Sequence, residues 1–256
     1  MSLRVSEGPK RALVTGAGAR LGKAMAEALG QDGWSVAVHY RGSKAGAEAT
    51  ASTIEASGGS AKLVQADLAD EEQTSTLVRA AQEAVQGPLT LLVNSASTFE
   101  DDSALEHSRE NWDFHMGPNF RAPVLLAQHF ARALPEDEAG LIVNMIDMRV
   151  LKLNPTFFTY TLSKSALWTA TRTLAQSLAP NIRVNGIGPG PTLENIHQKP
   201  GEFNAEAQAT LTQKGSNPGE IVKTLRYLIA ADSITGQMIA SDGGQHLMWQ
   251  TPDVIL

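Results

Sequence analysis

Three side chains in the second half of the chain could together move a proton. Tyr160 and Lys164 are four residues apart in a segment of helical period, so they lie on one face of a helix. An ammonium group below a phenol favours departure of its proton and makes tyrosine a usable proton donor near neutral pH. Asp147 stands thirteen residues before Tyr160, at the predicted end of a strand. By itself a Tyr-x-x-x-Lys pair is usually a surface pair, and Asp147 could simply accept a hydrogen bond from a backbone N–H.

A glycine turn near the amino terminus could hold a phosphate. It runs Thr15-Gly16-Ala17-Gly18-Ala19-Arg20-Leu21-Gly22, between a predicted strand and a predicted helix. Glycines let the backbone approach a pyrophosphate, and the helix directs its free N–H groups at the anion. The turn departs from GxGxxG because position 21 is Leu, and from the P-loop because positions 17 and 24 are Ala. Its place still favours nucleotide binding over plain turn chemistry, with Gly16, Arg20, Leu21 and Gly22 at the cofactor.

The end of the second predicted strand favours NADPH over NADH. An acid there would accept from the ribose 2′-hydroxyl of NAD, but no Asp or Glu occurs until Glu48. Arg41 and Ser43 offer donors suited to a 2′-phosphate. The alternative is that Arg41 and Lys44 only begin a solvated helix. Four residues of this segment are predicted to contact the cofactor: His39, Tyr40, Arg41 and Ser43.

The elements that carry these residues alternate between short β-branched runs and long segments of helical period. The predicted strands are Ala12–Thr15, Ser35–Tyr40, Ala61–Ala66, Leu89–Ser95, Leu141–Asp147, Ile182–Ile187 and Gln237–Ser241. The predicted helices are Leu21–Gly30, Lys44–Ser57, Glu71–Val85, Ser108–Leu134, Phe157–Ala179 and Pro218–Ala230. This order predicts an α/β fold: one Rossmann-like domain over residues 1–256, with a doubly wound parallel sheet of seven strands and helices on both faces.

Two stretches fall outside that alternation. Residues 1–9 are predicted to be a flexible tail. Residues 191–217 show no clear strand or helix pattern, and so long a loop in a compact domain is usually functional, so we expect a substrate-binding loop. A disordered surface excursion is the alternative.

Composition excludes several classes of function. The chain has no cysteine, 21 Lys+Arg and 27 Asp+Glu, and a net charge of −6 without a basic block. Thiolate chemistry is therefore absent, redox chemistry needs a borrowed cofactor, and neither nucleic acid nor an acidic membrane is an expected partner. The six histidines lack metal-ligand spacing, so no metal is expected. No apolar run approaches membrane-spanning length, and no secretory signal is visible, which leaves a cytoplasmic location as the default.

Taken in order, the motifs of the chain resemble the short-chain dehydrogenase/reductase family over essentially its whole length. They are Thr15-Gly16…Gly22, Asp67-Leu68, Asn94-Ser95-Ala96-Ser97, Asn119, Tyr160…Lys164, Pro189-Gly190…Thr192 and Asp242-Gly243-Gly244. The resemblance implies Asp67 near the adenine, Asn94 near its ribose, Lys164 on the nicotinamide ribose, Asn119 in the proton relay and Thr192 at the carboxamide or phosphates. The motif residues assigned to the cofactor are Asp67, Leu68, Asn94, Ser95, Ala96, Tyr160, Lys164, Pro189, Gly190 and Thr192. The resemblance also implies a homotetramer, in which the tail Met248–Gln250 could approach a neighbouring subunit's site.

Three departures from the common family pattern are similar to the pteridine reductase branch. Arg20 replaces the middle glycine, Asn-Ser-Ala-Ser-Thr-Phe replaces Asn-Asn-Ala-Gly, and Asp147 takes the place of the catalytic serine. The stretch Asp242–Leu247 is also similar to bacterial dihydromonapterin and dihydrofolate reductases of that branch.

The replacement of serine by Asp147 also indicates the kind of substrate, independently of the resemblance. A serine hydroxyl donates to a carbonyl oxygen, which an ionised carboxylate cannot do. A pterin presents N–H donors and C=N bonds whose reduction needs a proton on nitrogen, and a buried carboxyl could supply it through Tyr160 or water. Phe99 could stack on the heterocycle, unless it is only a core aromatic. The predicted substrate contacts are Arg20, Ser97, Phe99, Asp147 and Tyr160.

Three functions follow as hypotheses. The first is NADPH-dependent reduction of a dihydropterin or dihydrofolate to the tetrahydro form, with Asp147, Tyr160, Lys164 and Asn119 as the catalytic residues. The second is a carbonyl reductase acting on a ketone or 3-oxoacyl substrate. The third is a cofactor-binding sensor with little turnover.

Overall fold

The predicted sheet is present in the computed structural model, which describes residues 4–250. Its seven strands are β1 (Arg11–Val14), β2 (Ser35–Tyr40), β3 (Ser60–Gln65), β4 (Leu91–Asn94), β5 (Gly140–Met145), β6 (Ile182–Pro189) and β7 (Met238–Ser241). They pair in the order β3-β2-β1-β4-β5-β6-β7, and every pair is parallel. The prediction of a doubly wound seven-stranded parallel sheet is confirmed.

Helices cover both faces of the sheet. They are α1 (Arg20–Gln31), α2 (Lys44–Ala56), α3 (Glu71–Ala84), α4 (Arg109–Met116), α5 (Ala122–Ala133), α6 (Phe158–Leu178), α7 (Glu202–Gln208) and α8 (Pro218–Ala230). Successive residues of β1 point to opposite faces, so Val14 packs in one apolar cluster with Met25 and Leu225, and Leu13 in another with Leu126. Both faces of the central strands are therefore buried, which is why nearly every residue in these strands is apolar.

The predicted helix Ser108–Leu134 is broken into three parts. A π-helical turn, Gly117–Arg121, separates α4 from α5. Pro118 has no backbone N–H to donate to the carbonyl of Phe114, and that carbonyl instead accepts a hydrogen bond from the Thr98 hydroxyl. The turn carries Asn119 and buries it completely.

The long segment 191–217 is more ordered than its sequence indicates. It contains the short helix α7, because Phe203 and Ala207 lie one turn apart and pack inward. Its two ends meet where the Ser216 N–H donates to the Pro191 carbonyl at 2.9 Å.

The described part of the predicted flexible tail, residues 4–9, contacts the domain at its start. Val5 is 1% exposed and belongs to the core, and Arg4 lies 3.3 Å from the carboxylate of Asp232. Apolar burial of Val5 therefore favours contact of this residue with the domain, while Ser6 and Glu7 are exposed. Residues 1–3, which belong to the same prediction, lie outside the described part.

Candidate active site

A cavity of about 750 Å³ lies at the carboxyl ends of β1, β4, β5 and β6. The strand order reverses between β1 and β4, and ligands of open parallel sheets bind at such a point. Most of the predicted site residues line it: Gly16, Arg20, Leu21, Gly22, His39, Arg41, Asp67, Leu68, Ser95, Ala96, Ser97, Phe99, Asp147, Tyr160, Lys164, Pro189, Gly190 and Thr192.

Four predicted residues do not line the cavity. Tyr40 is packed in the core, and Ser43 is exposed at the start of α2. Asn94 is buried and donates to the Asn144 side chain at 2.8 Å. Asn119 lies behind the cavity wall.

The glycine turn leaves room for a phosphate next to free donors. A Cβ atom on Gly16 would lie 2.9 Å from the Cα of Ala96, and one on Gly22 would lie 2.4 Å from the Gly16 carbonyl oxygen. Ala19 precedes α1 and provides no side-chain cap, so the first N–H groups of this helix are available to an anion.

Arg20 occupies the turn with a left-handed backbone, at a φ of 51°, where a glycine would be unstrained. Its guanidinium donates to the backbone carbonyls of Leu193 at 3.2 Å and Glu194 at 2.8 Å. Arg20 therefore joins the phosphate-binding turn to segment 191–217.

His39 fixes the same turn from the side of β2. Its Nδ1 accepts from the Gly16 N–H at 3.1 Å, so its Nε2 carries the hydrogen and donates to the Ala66 carbonyl at 3.1 Å. Burial lowers the pKa of His39 to about 4, so the imidazole is neutral at physiological pH.

The rim beyond β2 presents a cation. Arg41 is exposed, lines the cavity and makes no ion pair within residues 4–250. Lys44 begins α2 and lies 3.7 Å from Glu48, so the interpretation as an ordinary helix start fits Lys44.

The motif Pro189-Gly190…Thr192, at the end of β6, forms another part of the cavity wall. Thr192 is buried, and its hydroxyl donates to the Gly190 carbonyl at 2.9 Å. A Cβ atom on Gly190 would lie 2.7 Å from the Cα of Asp242, so only glycine fits between this wall and the Asp-Gly-Gly turn.

Asp147 and Tyr160 form a hydrogen-bonded pair in the cavity. The Tyr160 hydroxyl donates to Asp147 Oδ2 at 2.8 Å, while Asp147 Oδ1 accepts from the Arg149 N–H at 2.9 Å. The carboxylate of Asp147 thus accepts both from the Tyr160 hydroxyl and from a backbone N–H, so both interpretations of Asp147 describe part of its contacts. Burial raises the pKa of Asp147, and burial together with the charge of Asp147 raises the pKa of Tyr160 well above its usual value.

Lys164 lies under Tyr160 as the spacing predicts. Its Nζ is 5.7 Å from the centre of the Tyr160 ring and donates to the Met145 carbonyl at 2.9 Å. Burial lowers the pKa of Lys164 to about 8. The net effect on the pKa of Tyr160 is still a rise, from burial and Asp147, which the charge of Arg149 opposes.

Asn119 organises the strip of chain that follows β4. Its Oδ1 accepts from the Thr98 N–H at 2.8 Å and from the Ser97 hydroxyl at 3.1 Å. Its Nδ2 donates to the Thr98 carbonyl at 2.9 Å and to the Ser163 hydroxyl at 3.2 Å, on the helix that carries Tyr160.

Phe99 belongs to the cavity and is only partly buried, so it is more than a core aromatic. One face of its ring stacks on Phe157, with centroids 4.2 Å apart and planes 12° apart. The Tyr160 ring meets it edge to face at 4.7 Å. Phe99 and the proton-donor candidate are thus parts of one aromatic cluster.

The sequence interpretation missed Arg149 and Phe157. Arg149 donates to the Asn154 side chain at 2.7 Å and lies 5.0 Å from the centre of the Phe157 ring. The sequence could have indicated Arg149 as a site residue, because a cation stands two residues after Asp147. Phe157 adopts a left-handed backbone, at a φ of 53°, which no local pattern predicts. Phe157 lies behind Phe99, whereas the unpredicted residues that line the cavity include Arg149, Thr98, Leu153, Ile196 and Phe203.

Two kinds of feature are absent from the described residues. Within 4–250, no cluster of His, Asp and Glu could hold a metal ion. No helix in that range is both long and apolar enough to cross a bilayer.

The glycine turn at the sheet reversal and the Tyr160–Lys164 pair across the cavity define a dinucleotide-dependent oxidoreductase site of the Rossmann class. The family model described as short chain dehydrogenase matches residues 10–204. This chain belongs to that family.

Several similar proteins span nearly the whole chain. The structure of FolM alternative dihydrofolate reductase 1 from Brucella canis, complexed with NADP, is 50% identical, has a TM-score of 0.92, and covers 96% of this chain and 97% of that chain. An uncharacterized oxidoreductase of Methylorubrum extorquens is 34% identical over 92% of this chain and 97% of its own. A 3-oxoacyl-[acyl-carrier-protein] reductase of Synechocystis is 30% identical over 91% of this chain and 95% of its own.

Proposed function

We propose that this protein is an NADPH-dependent reductase of a pteridine, converting a dihydropterin or dihydrofolate to its tetrahydro form. The observation that carries the proposal is the hydrogen bond from Tyr160 to Asp147, 2.8 Å long, in the cavity next to Phe99. The similarity to a dihydrofolate reductase structure at 50% identity supports the same substrate class.

The residues around the cavity fit NADPH. Gly16 and Gly22 have no space for a side chain, and the uncapped start of α1 offers N–H groups for the pyrophosphate. Arg41 at the rim supplies a planar cation for a 2′-phosphate, where an acid would repel it. Bound there, NADPH would supply a hydride to the carbon of the substrate C=N bond.

The protein must then deliver a proton to the nitrogen of that bond. Tyr160 holds its proton because burial and Asp147 raise its pKa. Burial also raises the pKa of Asp147, so the carboxyl can carry a proton of its own at higher pH than an exposed aspartate. Once Asp147 is protonated, the hydrogen bond between the pair reverses: the carboxyl O–H donates to Tyr160 Oη. The phenol then gives its own proton to the substrate nitrogen and takes the proton of Asp147, so the pair acts as one relay and ends as tyrosine and carboxylate.

Other cavity residues would orient the heterocycle. Phe99 offers an aromatic surface beside Tyr160, and Ser97, held by Asn119, lies at the cavity edge as a hydroxyl partner. Arg20 lies between the glycine turn and segment 191–217, where its charge faces both the phosphates and the substrate side.

A carbonyl reductase is the second candidate. The curated 3-oxoacyl-[acyl-carrier-protein] reductase of Synechocystis matches nearly the whole chain, which favours this chemistry. In that case Asp147 must be protonated to donate to a carbonyl oxygen, or must be bypassed. Replacing Asp147 by Ser would then raise ketone turnover rather than abolish it.

The deciding experiment measures NADPH oxidation with dihydrobiopterin, dihydromonapterin and dihydrofolate, beside an acetoacetyl thioester and simple quinones. Turnover confined to the pteridines supports the proposal. Turnover confined to the carbonyl compounds overturns it in favour of the second candidate. Tight NADPH binding without oxidation by any substrate would favour the sensor hypothesis.

A substitution at Phe99 tests the substrate site itself. We expect Phe99→Ala to raise the KM for the pteridine about tenfold, because about 1 kcal/mol of aromatic contact is lost together with apolar area. Full pteridine affinity in Phe99→Ala would contradict the stacking role. Tyr227→Ala, at an exposed tyrosine of α8 outside the cavity, is the matched aromatic control.

A further inference from the structure

A buried histidine outside the proposed proton relay connects three elements around it. His115 on α4 is fully buried. Its Nε2 lies 3.0 Å from the backbone N of Glu100, and its Nδ1 lies 2.7 Å from the Thr159 hydroxyl. Thr159 in turn contacts the carboxylate of Asp102 through its hydroxyl and donates its backbone N–H to Asp102 Oδ1 at 3.0 Å.

The direction of these hydrogen bonds is determined by donor chemistry. A backbone N–H only donates, so Nε2 of His115 must accept from Glu100. The hydrogen of the neutral imidazole then lies on Nδ1 and is donated to Thr159 Oγ1. The hydroxyl hydrogen of Thr159 is left for the Asp102 carboxylate. Burial lowers the pKa of His115 and favours the neutral ring, although Asp102, the backbone of Asn111 and Glu100 act in the opposite direction.

The ends of this chain of hydrogen bonds flank the aromatic residues of the cavity. Glu100 directly follows Phe99, and Thr159 directly precedes Tyr160. The His115 ring also lies edge-on to Tyr160, with centroids 6.0 Å apart. A shift of His115 would therefore move the Phe99 backbone and the first turn of α6 relative to each other.

We propose that His115, Thr159 and Asp102 form a positioning chain that sets the Phe99 ring against Tyr160 for the substrate. The inference rests on the proposed function, because it assigns Phe99 to substrate contact and Tyr160 to proton donation. None of the three side chains lines the cavity, so they act through their neighbours. The hydrogen bonds of the chain do not reach the glycine turn or Arg41, which would hold the phosphates, so its loss should leave most of the NADPH affinity in place.

The chain offers a matched set of threonine variants. Thr159→Val removes the hydroxyl and keeps the shape, whereas Thr159→Ser keeps the hydroxyl. Thr161→Val makes the same change two residues away, at a buried hydroxyl that has no hydrogen-bond partner among residues 4–250.

We expect Thr159→Val to lower kcat/KM for the dihydropterin by about tenfold to hundredfold, because misplacement of a reacting group by about 1 Å costs a similar factor. Its Kd for NADPH should stay within about threefold of that of the unmodified protein, Thr159→Ser should recover most of the activity, and Thr161→Val should lose little. Equal loss of NADPH affinity, or a Thr159→Ser variant as impaired as Thr159→Val, would overturn the positioning role.

A second measurement needs no substrate and only the conservative Thr159→Ser variant. Spectra of the ¹⁵N-histidine-labelled protein report the tautomer of each ring, and comparison with Thr159→Ser identifies His115 by its changed shift. We expect a neutral His115 with hydrogen on Nδ1. An Nε2–H tautomer or an imidazolium at neutral pH would overturn the chain. Absence of pteridine turnover in the unmodified enzyme, beside an Nδ1–H tautomer, would refute the proposed function and leave the hydrogen-bond chain standing.

Discussion

Replacing Asp147 by Asn is the most informative change to the proposed relay. The amide has nearly the size of the carboxyl group but carries neither a charge nor an ionisable proton. Its oxygen can still accept from the Arg149 N–H, which now lies 2.9 Å from Asp147 Oδ1. Its NH₂ group would face the Tyr160 hydroxyl, which lies 2.8 Å from Oδ2, and so the phenol would lose its acceptor.

The size of the effect follows from what the pair does. Proton transfer by a positioned side chain contributes about 10² to 10⁴ in rate, or about 2.7 to 5.4 kcal/mol of barrier. We therefore expect Asp147→Asn to lower kcat for the dihydropterin at least about a hundredfold. The pKa of Tyr160 should also fall, because the charge of Asp147 is a main cause of its elevation after burial.

Steady-state NADPH oxidation with the dihydropterin measures this loss. Tyr160→Phe and the double variant Asp147→Asn/Tyr160→Phe should be about as slow as Asp147→Asn alone, because residues that act as a unit lose activity together. A separate titration of NADPH binding controls for damage to the cavity. A kcat for Asp147→Asn within about threefold of the unmodified enzyme would refute the relay.

Three further predictions concern the cofactor, the cation under Tyr160 and the assembly. Arg41→Ala should raise the KM for NADPH about tenfold or more and leave that for NADH nearly unchanged, because a charge-assisted bond to the 2′-phosphate contributes about 1.5 to 3 kcal/mol; equal effects on both cofactors would contradict the assignment. The Lys164 ammonium is present below its pKa of about 8 and lost above it, so kcat should decline as the pH rises through about 8, and Lys164→Arg should move that decline to higher pH. The homotetramer implied by the family resemblance predicts a mass by light scattering of four times the 27.3 kDa chain, and a monomer mass would exclude it.

Local spacing was sufficient for the framework of the site. The alternation of strands and helices follows from periodicity and led to the sheet, while four-residue spacing placed Lys164 under Tyr160 because helix geometry is the same in any context. The glycine turn was recognisable because Gly16 and Gly22 fill positions where a side chain has no room. The sequence also predicted the cation at the cavity rim, because Arg41 follows β2 and no acidic residue stands next to it.

The protonation of the site depends on contacts that no local pattern contains. The spacing of Tyr160 and Lys164 indicated a phenol made acidic by its cation, yet burial and Asp147 raise the pKa of Tyr160 instead. Desolvation is a property of the assembled walls, to which the segment after β4, the end of β5, α6 and segment 191–217 all contribute residues. The link from His115 to Thr159 likewise spans 44 residues of sequence, so it exists only once α4 and α6 have packed together.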